Sequence, residues 1–147
     1  IAELQGNETI LDPFAGIGGI VLECKKRKLK IFASDMDIAL RPGLAMIAHN
    51  KYTVADARCL PFKDNTFDAI ITEPPFNTRF RQSVIDSLPE LVRVTSKTGK
   101  FVFLIADDMF TDITENMSNM GLRLTSDFTL RRHGKLKSHV LKFESIS

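Results

Sequence analysis

Tryptophan is absent from the 147 residues, tyrosine occurs once and cysteine twice. Two cysteines are too few for a disulfide framework, and neither Cys24 nor Cys59 stands in a CxxC or Cys/His spacing that would hold zinc. Both thiols are therefore expected in or near the core, and no metal is expected. Long apolar runs are also missing. The longest, Phe101 to Ala106, falls far short of the roughly 20 residues that cross a bilayer, and no basic-apolar-small leader pattern opens the chain. These features predict a soluble protein of the cytoplasm with no membrane partner. A strong charge of one sign is lacking too, since the net charge is +2, which does not by itself call for a polyanion. Internal repeats and low-complexity segments are not found.

What is present suits a globular domain. With 44% hydrophobic and 26% charged residues, the chain can bury a sizeable core. One domain over residues 1–147 is expected, and the start at Ile1 leaves open a missing N-terminal domain. Two segments concentrate basic charge. Lys25-Lys26-Arg27-Lys28 closes the first expected helix, where the helix dipole favours cations without any ligand. Arg131-Arg132-His133-Gly134-Lys135 lies between two strand-like segments, where a loop could face a polyanion.

Strand-like and helical patterns alternate along the chain. Thr9 to Leu11, Lys30 to Ala33, Tyr52 to Ala55, Phe67 to Thr72 and Phe101 to Ala106 read as strands. Between them, helices are expected through Val21 and Cys24, after Pro42, through Val84 to Val92, and from Met109 to Met120. Pro89 should kink the third of these or divide it in two. The final pair, Leu122 to Leu130 and Ser138 to Glu144, has no room for a crossover helix and should form an antiparallel hairpin. The expected fold is α/β: a Rossmann-like, doubly wound sheet of seven strands, mostly parallel with the last strand antiparallel.

Ligands of such sheets bind beyond the carboxyl ends of the strands. Those ends read DPFAGIGG, SDMD, ADAR and TEPPFN, and each carries an acid. Gly16-Ile17-Gly18-Gly19 permits a tight turn and close approach of a ligand to the backbone. Asp12 would repel a pyrophosphate there. It suits an amino-acid ligand, whose ammonium group it can accept while backbone amides meet the carboxylate. Asp35, 23 residues beyond Asp12, stands where an acid accepts ribose hydroxyls, with Asp37 as a weaker candidate. Asp56 could accept an adenine amine, with the amide of Ala57 on the ring and Met36, Ile38 and Ala55 as apolar walls.

ILDPFAGIGG, the acid ending the second strand, and VADARCLPFKDNTFDAIITEPPF together resemble class I S-adenosylmethionine-dependent methyltransferases, from Thr9 to Glu144. The resemblance implies S-adenosylmethionine as cofactor. It assigns Asp12 and the loop of Gly16 and Gly18 to the methionine part, Asp35 to the ribose and Asp56 to the adenine, with Phe14, Ala15, Met36, Ala57 and Glu73 also among the cofactor-binding residues. TEPPFN resembles the Asp/Asn-Pro-Pro-Tyr/Phe motif of enzymes that methylate an exocyclic amino group of a nucleobase. Such an amine is a poor nucleophile because its lone pair is delocalised into the ring. Glu73 and the carbonyl of Pro74 would accept its N–H groups, Phe76 would stack on the base, and Pro75 would hold the loop in one shape. Glu73 stands where the motif has Asp or Asn, and Asn77 where many relatives have Gly.

Among these enzymes the segments DPFAGIGGIVLEC and SDMD and the basic turn before the last strand are most similar to the catalytic domain of THUMP-associated tRNA guanine-N2 methyltransferases. That similarity implies an RNA substrate, tRNA first, and an RNA-binding domain or subunit in cis or in trans. Pro75, Asn77, Arg79, Arg81, Arg131, Arg132 and His133 are then candidate substrate contacts. Adenine-N6 methylation of RNA or DNA, methylation of a protein glutamine amide, and a noncatalytic S-adenosylmethionine-binding partner remain open alternatives.

Overall fold

A computed structural model describes residues 3–131 and 133–146. Its elements, in chain order, are β1 (Thr9–Asp12), α1 (Gly19–Lys26), β2 (Lys30–Asp35), α2 (Arg41–Ala48), β3 (Tyr52–Val54), β4 (Phe67–Thr72), α3 (Arg81–Val94), β5 (Thr95–Ala106), α4 (Phe110–Asn119), β6 (Leu122–Arg131) and β7 (Lys137–Ser145). The strands form a seven-stranded sheet in the order β3-β2-β1-β4-β5-β7-β6. All neighbours pair in parallel except β7, which runs antiparallel to both β5 and β6. The fold class expected from the sequence is thus present, and the final hairpin forms. Its last strand inserts beside β5 and leaves β6 at the edge.

Alternation along the strands makes two cores. In β1, Leu11 joins Phe67, Ile70, Phe101, Phe103 and Ile105 under Val84, Leu88 and Leu91 of α3 and Ile113 and Met117 of α4. Its neighbour Ile10 joins Ala33 and Ala69 on the other face, under Val21 and Cys24 of α1 and Leu44 and Ala48 of α2. Burying each large apolar side chain stabilises the fold by roughly 1.5–3 kcal/mol, so helices sit where the strand pattern is apolar on both faces.

Three details differ from the sequence expectation. Helix α3 runs unbroken from Arg81 to Val94 with Pro89 inside it. The proline removes one helical hydrogen bond, but Val84, Leu88, Leu91 and Val94 are all buried along its length, and that packing outweighs the missing bond. Strand β5 begins at Thr95 rather than Phe101, with a register shift opposite Phe67 and Ala69; a Cβ at Gly99 would run into Thr95 and Ser96. Cys24 is buried as expected, whereas Cys59 is exposed in the loop after β3, because its neighbours Ala57 and Leu60 take the inward positions.

Strand order reverses between β1 and β4, so β2 and β3 lie on one side of β1 and β5, β7 and β6 on the other. The carboxyl ends of β1 and β4 flank that switch point, where a crevice opens in doubly wound sheets.

Candidate active site

At the switch point Asp12 ends β1 and Thr72 ends β4, each 1% exposed. Oδ1 of Asp12 accepts the Thr72 hydroxyl at 2.6 Å and the Phe14 amide at 3.2 Å. Burial pushes the Asp12 carboxyl up to about 7; the Thr72 and Phe14 hydrogen bonds oppose that rise and the carboxylates of Asp35 and Glu73 add to it.

The loop after Asp12 is fixed by its own amides. Ala15 N–H donates to the Ser34 carbonyl at 3.0 Å, Gly18 N–H to the Ala15 carbonyl at 2.8 Å, and Gly16 N–H to Oδ2 of Asp35 at 2.9 Å. These three amides are used within the loop, so an anion reaching it would meet other N–H groups at the start of α1. Gly16 and Gly18 take φ values of 54° and 88°, in the left-handed region that favours glycine.

Asp35 also accepts the Asp37 amide on Oδ1 at 2.9 Å. Asp37 in turn accepts the Ala39 amide at 3.0 Å and caps the short turn Ile38–Leu40. A carboxylate has about four lone-pair sites, so Asp35 retains acceptor capacity toward the crevice. Asp56 is more committed: Arg58 holds it through its guanidinium at 2.7 Å and its amide at 2.9 Å, and those bonds keep its carboxyl below the usual range.

Two cavities adjoin these residues. The first, about 300 Å³, is bounded by Phe14, Asp35, Met36, Ala55, Asp56 and Ala57, with Leu40 in place of the expected Ile38. The second, about 360 Å³, lies between Asp12, Ala15 and Ile17 on one side and Pro74 and Phe76 on the other. Glu73, Pro75, Phe14 and Gly16 line both. The structure therefore brings the acidic strand ends and the TEPPF loop to one crevice.

The candidate substrate contacts are not all gathered there. Asn77 lines neither cavity, and its Oδ1 accepts the Arg79 amide at 3.1 Å, capping the turn Thr78–Phe80. The Arg79 guanidinium lies over the Phe80 ring, 4.6 Å from its centre. Arg81 is paired with Asp112 of α4 at 2.6 Å. Arg131, the last residue of β6, and His133, in the turn that follows, are exposed, and Arg132 lies outside the described residues. Phe80, Ser83 and Val84 line the first cavity and were not anticipated, since nothing local in their sequence says that the start of α3 faces the strand ends.

The fold is α/β with a crevice at the switch point of its sheet, and comparison with known proteins gives the class. The family described as methyltransferase domain matches residues 11–103, and the chain belongs to that family. Its methyl donor is S-adenosylmethionine. Among curated relatives, U6 snRNA (guanine-N(2))-methyltransferase THUMPD2 of Mus musculus is 28% identical over 78% of this chain, which spans 24% of that protein's length. Probable tRNA (guanine(10)-N2)-dimethyltransferase of Methanothermococcus thermolithotrophicus is 24% identical over 95% of this chain and 90% of its own. Demethylmenaquinone methyltransferase of Streptomyces avermitilis is 37% identical over 66% of this chain and 37% of its own. Two solved structures share the fold: a SAM-dependent methyltransferase of Methanosarcina mazei (TM-score 0.80, 14% identity, 97% of this chain and 94% of that one) and P. horikoshii TYW2 in complex with MeSAdo (TM-score 0.73, 18% identity, 97% and 58%).

The donor set suits this cofactor. Its ammonium and ribose hydroxyls donate hydrogen bonds, and the crevice offers the carboxylates Asp12 and Asp35 between apolar walls, while Asp56 is taken by Arg58. No helix among the described residues is long and apolar enough to cross a membrane. Among the described residues no cluster of His, Cys, Asp and Glu is arranged to hold a metal.

Proposed function

We propose that this domain methylates an exocyclic amino group of a nucleobase in RNA, guanine N2 of tRNA in the first place. The observation that carries the proposal is that Glu73 and Pro75 line both cavities while Phe76 lines only the second. The TEPPF loop is thus a wall common to the two cavities, which suits a base clamp beside a bound donor.

In this reading Asp12 accepts the ammonium group of S-adenosylmethionine, Asp35 its ribose hydroxyls, and Phe14, Met36 and Ala57 enclose its adenine. The cofactor supplies an electrophilic methyl on a sulfonium. Glu73 and the carbonyl of Pro74 accept the N–H groups of the target amine, which directs the nitrogen lone pair toward that methyl. Phe76 stacks on the base; such contacts contribute roughly 1–3 kcal/mol. Pro74 and Pro75 hold the loop in one shape, which lowers the entropy lost on binding. Catalysis is then mainly positioning, with Glu73 as the carboxylate of the loop that takes the departing proton.

RNA is favoured because relatives named as guanine-N2 methyltransferases of snRNA and tRNA align over most of the chain. An RNA-binding domain or subunit, in cis or in trans, would capture the RNA, with Arg79 and Arg131 contacting phosphate. The second reading is adenine-N6 methylation, which the same loop would serve. The demethylmenaquinone methyltransferase relative favours a third, methylation of a quinone-type ring.

The test is radiolabelled methyl transfer to total tRNA, rRNA, duplex DNA and a demethylquinone, followed by nucleoside analysis, with Glu73→Ala as control. N2-methylguanosine made by the parent and lost in the variant supports the proposal. N6-methyladenosine or a methylated quinone selects another reading, and donor binding with no transfer to any acceptor selects a noncatalytic role.

A further inference from the structure

The hydrogen bond between Thr72 and Asp12 joins residues 60 apart in sequence across β1 and β4. It lies where the donor-binding strand and the strand leading into Glu73 meet. Both side chains are 1% exposed, so neither can exchange this bond for one to bulk water. Oδ1 of Asp12 takes both Thr72 and the Phe14 amide, and Asp12 is among the residues that line the second cavity. We propose that Thr72 is a positioning residue for the methyl donor: by occupying Oδ1 it fixes the buried Asp12 carboxylate and leaves Oδ2 as the acceptor for the donor's ammonium group.

This inference rests on the role of Asp12 given above. Around the carboxylate stand Asp35 at the end of β2, Glu73 after β4 and the Cys24 thiol of α1. None of these supplies a cation, so the Thr72 hydroxyl and the Phe14 amide are what oppose protonation of Asp12 before the donor arrives. Removing the hydroxyl should loosen the carboxylate and favour its neutral form, which binds an ammonium poorly.

The test is calorimetric binding of S-adenosylmethionine and of 5′-methylthioadenosine, which has no ammonium group, to the full chain between about pH 6 and 8. Thr72→Val is expected to weaken S-adenosylmethionine about tenfold, as loss of a hydrogen bond to a charged group does, and to move the midpoint of its pH dependence upward. Affinity for 5′-methylthioadenosine should change by less than about twofold, and Thr72→Ser should restore S-adenosylmethionine to within about threefold of the parent. Equal losses for both ligands, or no loss for either, overturn the proposal. Thr72→Ala takes the same comparison if the valine variant does not fold. Asp12→Asn separates the two levels: if it binds S-adenosylmethionine as the parent does, the role of Asp12 itself fails, whereas loss in Asp12→Asn without loss in Thr72→Val removes only the positioning role.

Discussion

The Gly16 amide donates to Oδ2 of Asp35 at 2.9 Å, so the glycine loop after β1 and the acid that ends β2 form one unit. A ligand that engages Asp35 therefore engages a carboxylate whose rotamer is already set by backbone donors from both sides, Gly16 and Asp37. Asp35→Ala should weaken S-adenosylmethionine by at least about tenfold, through the lost acceptor and the released loop. Asp37→Ala should change it by less than about threefold, because Asp37 caps the adjacent turn and its Oδ1 is already used by Ala39. Equilibrium binding of the two variants, side by side, checks this.

Gly18 and Gly16 should respond differently to alanine. Both have positive φ, but a Cβ at Gly18 would meet Ile47 Cδ1 at 3.1 Å and Leu44 Cδ2 at 3.2 Å, whereas at Gly16 nothing comes closer than 4.0 Å. Gly18→Ala is expected to lose about 2–3 kcal/mol of stability, and Gly16→Ala about 1 kcal/mol. Urea unfolding of the apo forms measures both.

Asp12 gives a pH dependence of unusual sign. Its carboxyl is raised from 3.8 to about 7 by burial, so between those values the folded state holds a proton that the unfolded chain releases. Apo stability from this group therefore falls as pH rises from about 4 to about 7. Asp12→Asn should be more stable than the parent at pH above about 7, by roughly 1–4 kcal/mol, and close to it near pH 4. Denaturation of the apo proteins at the two pH values tests the sign, and a parent that gains stability from this group on going to alkaline pH would contradict it.

His139 carries the same sign from a different cause, since ion pairing rather than burial raises its pKa. Its Nε2 lies 2.7 Å from Asp107 and its Nδ1 2.9 Å from Asp127, with the Phe110 ring 4.8 Å away. Burial lowers its pKa, but the bonds to the two carboxylates outweigh burial and leave it raised above the ordinary 6.5. The stabilisation is fully present below about pH 6.5 and is lost as pH rises through the higher folded value. His139→Gln should be less stable by about 1–3 kcal/mol at pH 6 and should lack that decline. Thermal melts of parent and variant across the neutral range read the difference.

Phe76→Ala tests the base clamp. It should leave S-adenosylmethionine affinity within about threefold and raise KM for the methyl acceptor about 5- to 150-fold, the range of one lost stacking contact. Steady-state methyl transfer to the RNA that the parent modifies separates the two effects.

Much of this was legible in the chain itself. Alternation along β1, β2 and β4 and the acids at their carboxyl ends needed only local patterns, since strand burial and strand-end chemistry repeat at short range. Other features depend on contacts that no short stretch displays. Pro89 stays within one helix because Val84, Leu88 and Leu91 pack against the sheet, and Arg81 meets Asp112, which α4 brings from 31 residues away.

The order and polarity of residues along the chain determined the doubly wound sheet, the glycine turn and the TEPPF loop, because each depends on neighbours within one element or one turn. Only the tertiary structure decided that Thr72 would reach Asp12 from 60 residues away, that the start of α3 would wall the donor cavity, and that β7 would enter between β5 and β6. Those relations are set by which faces bury together, and burial is a property of the assembled sheet rather than of any stretch of sequence.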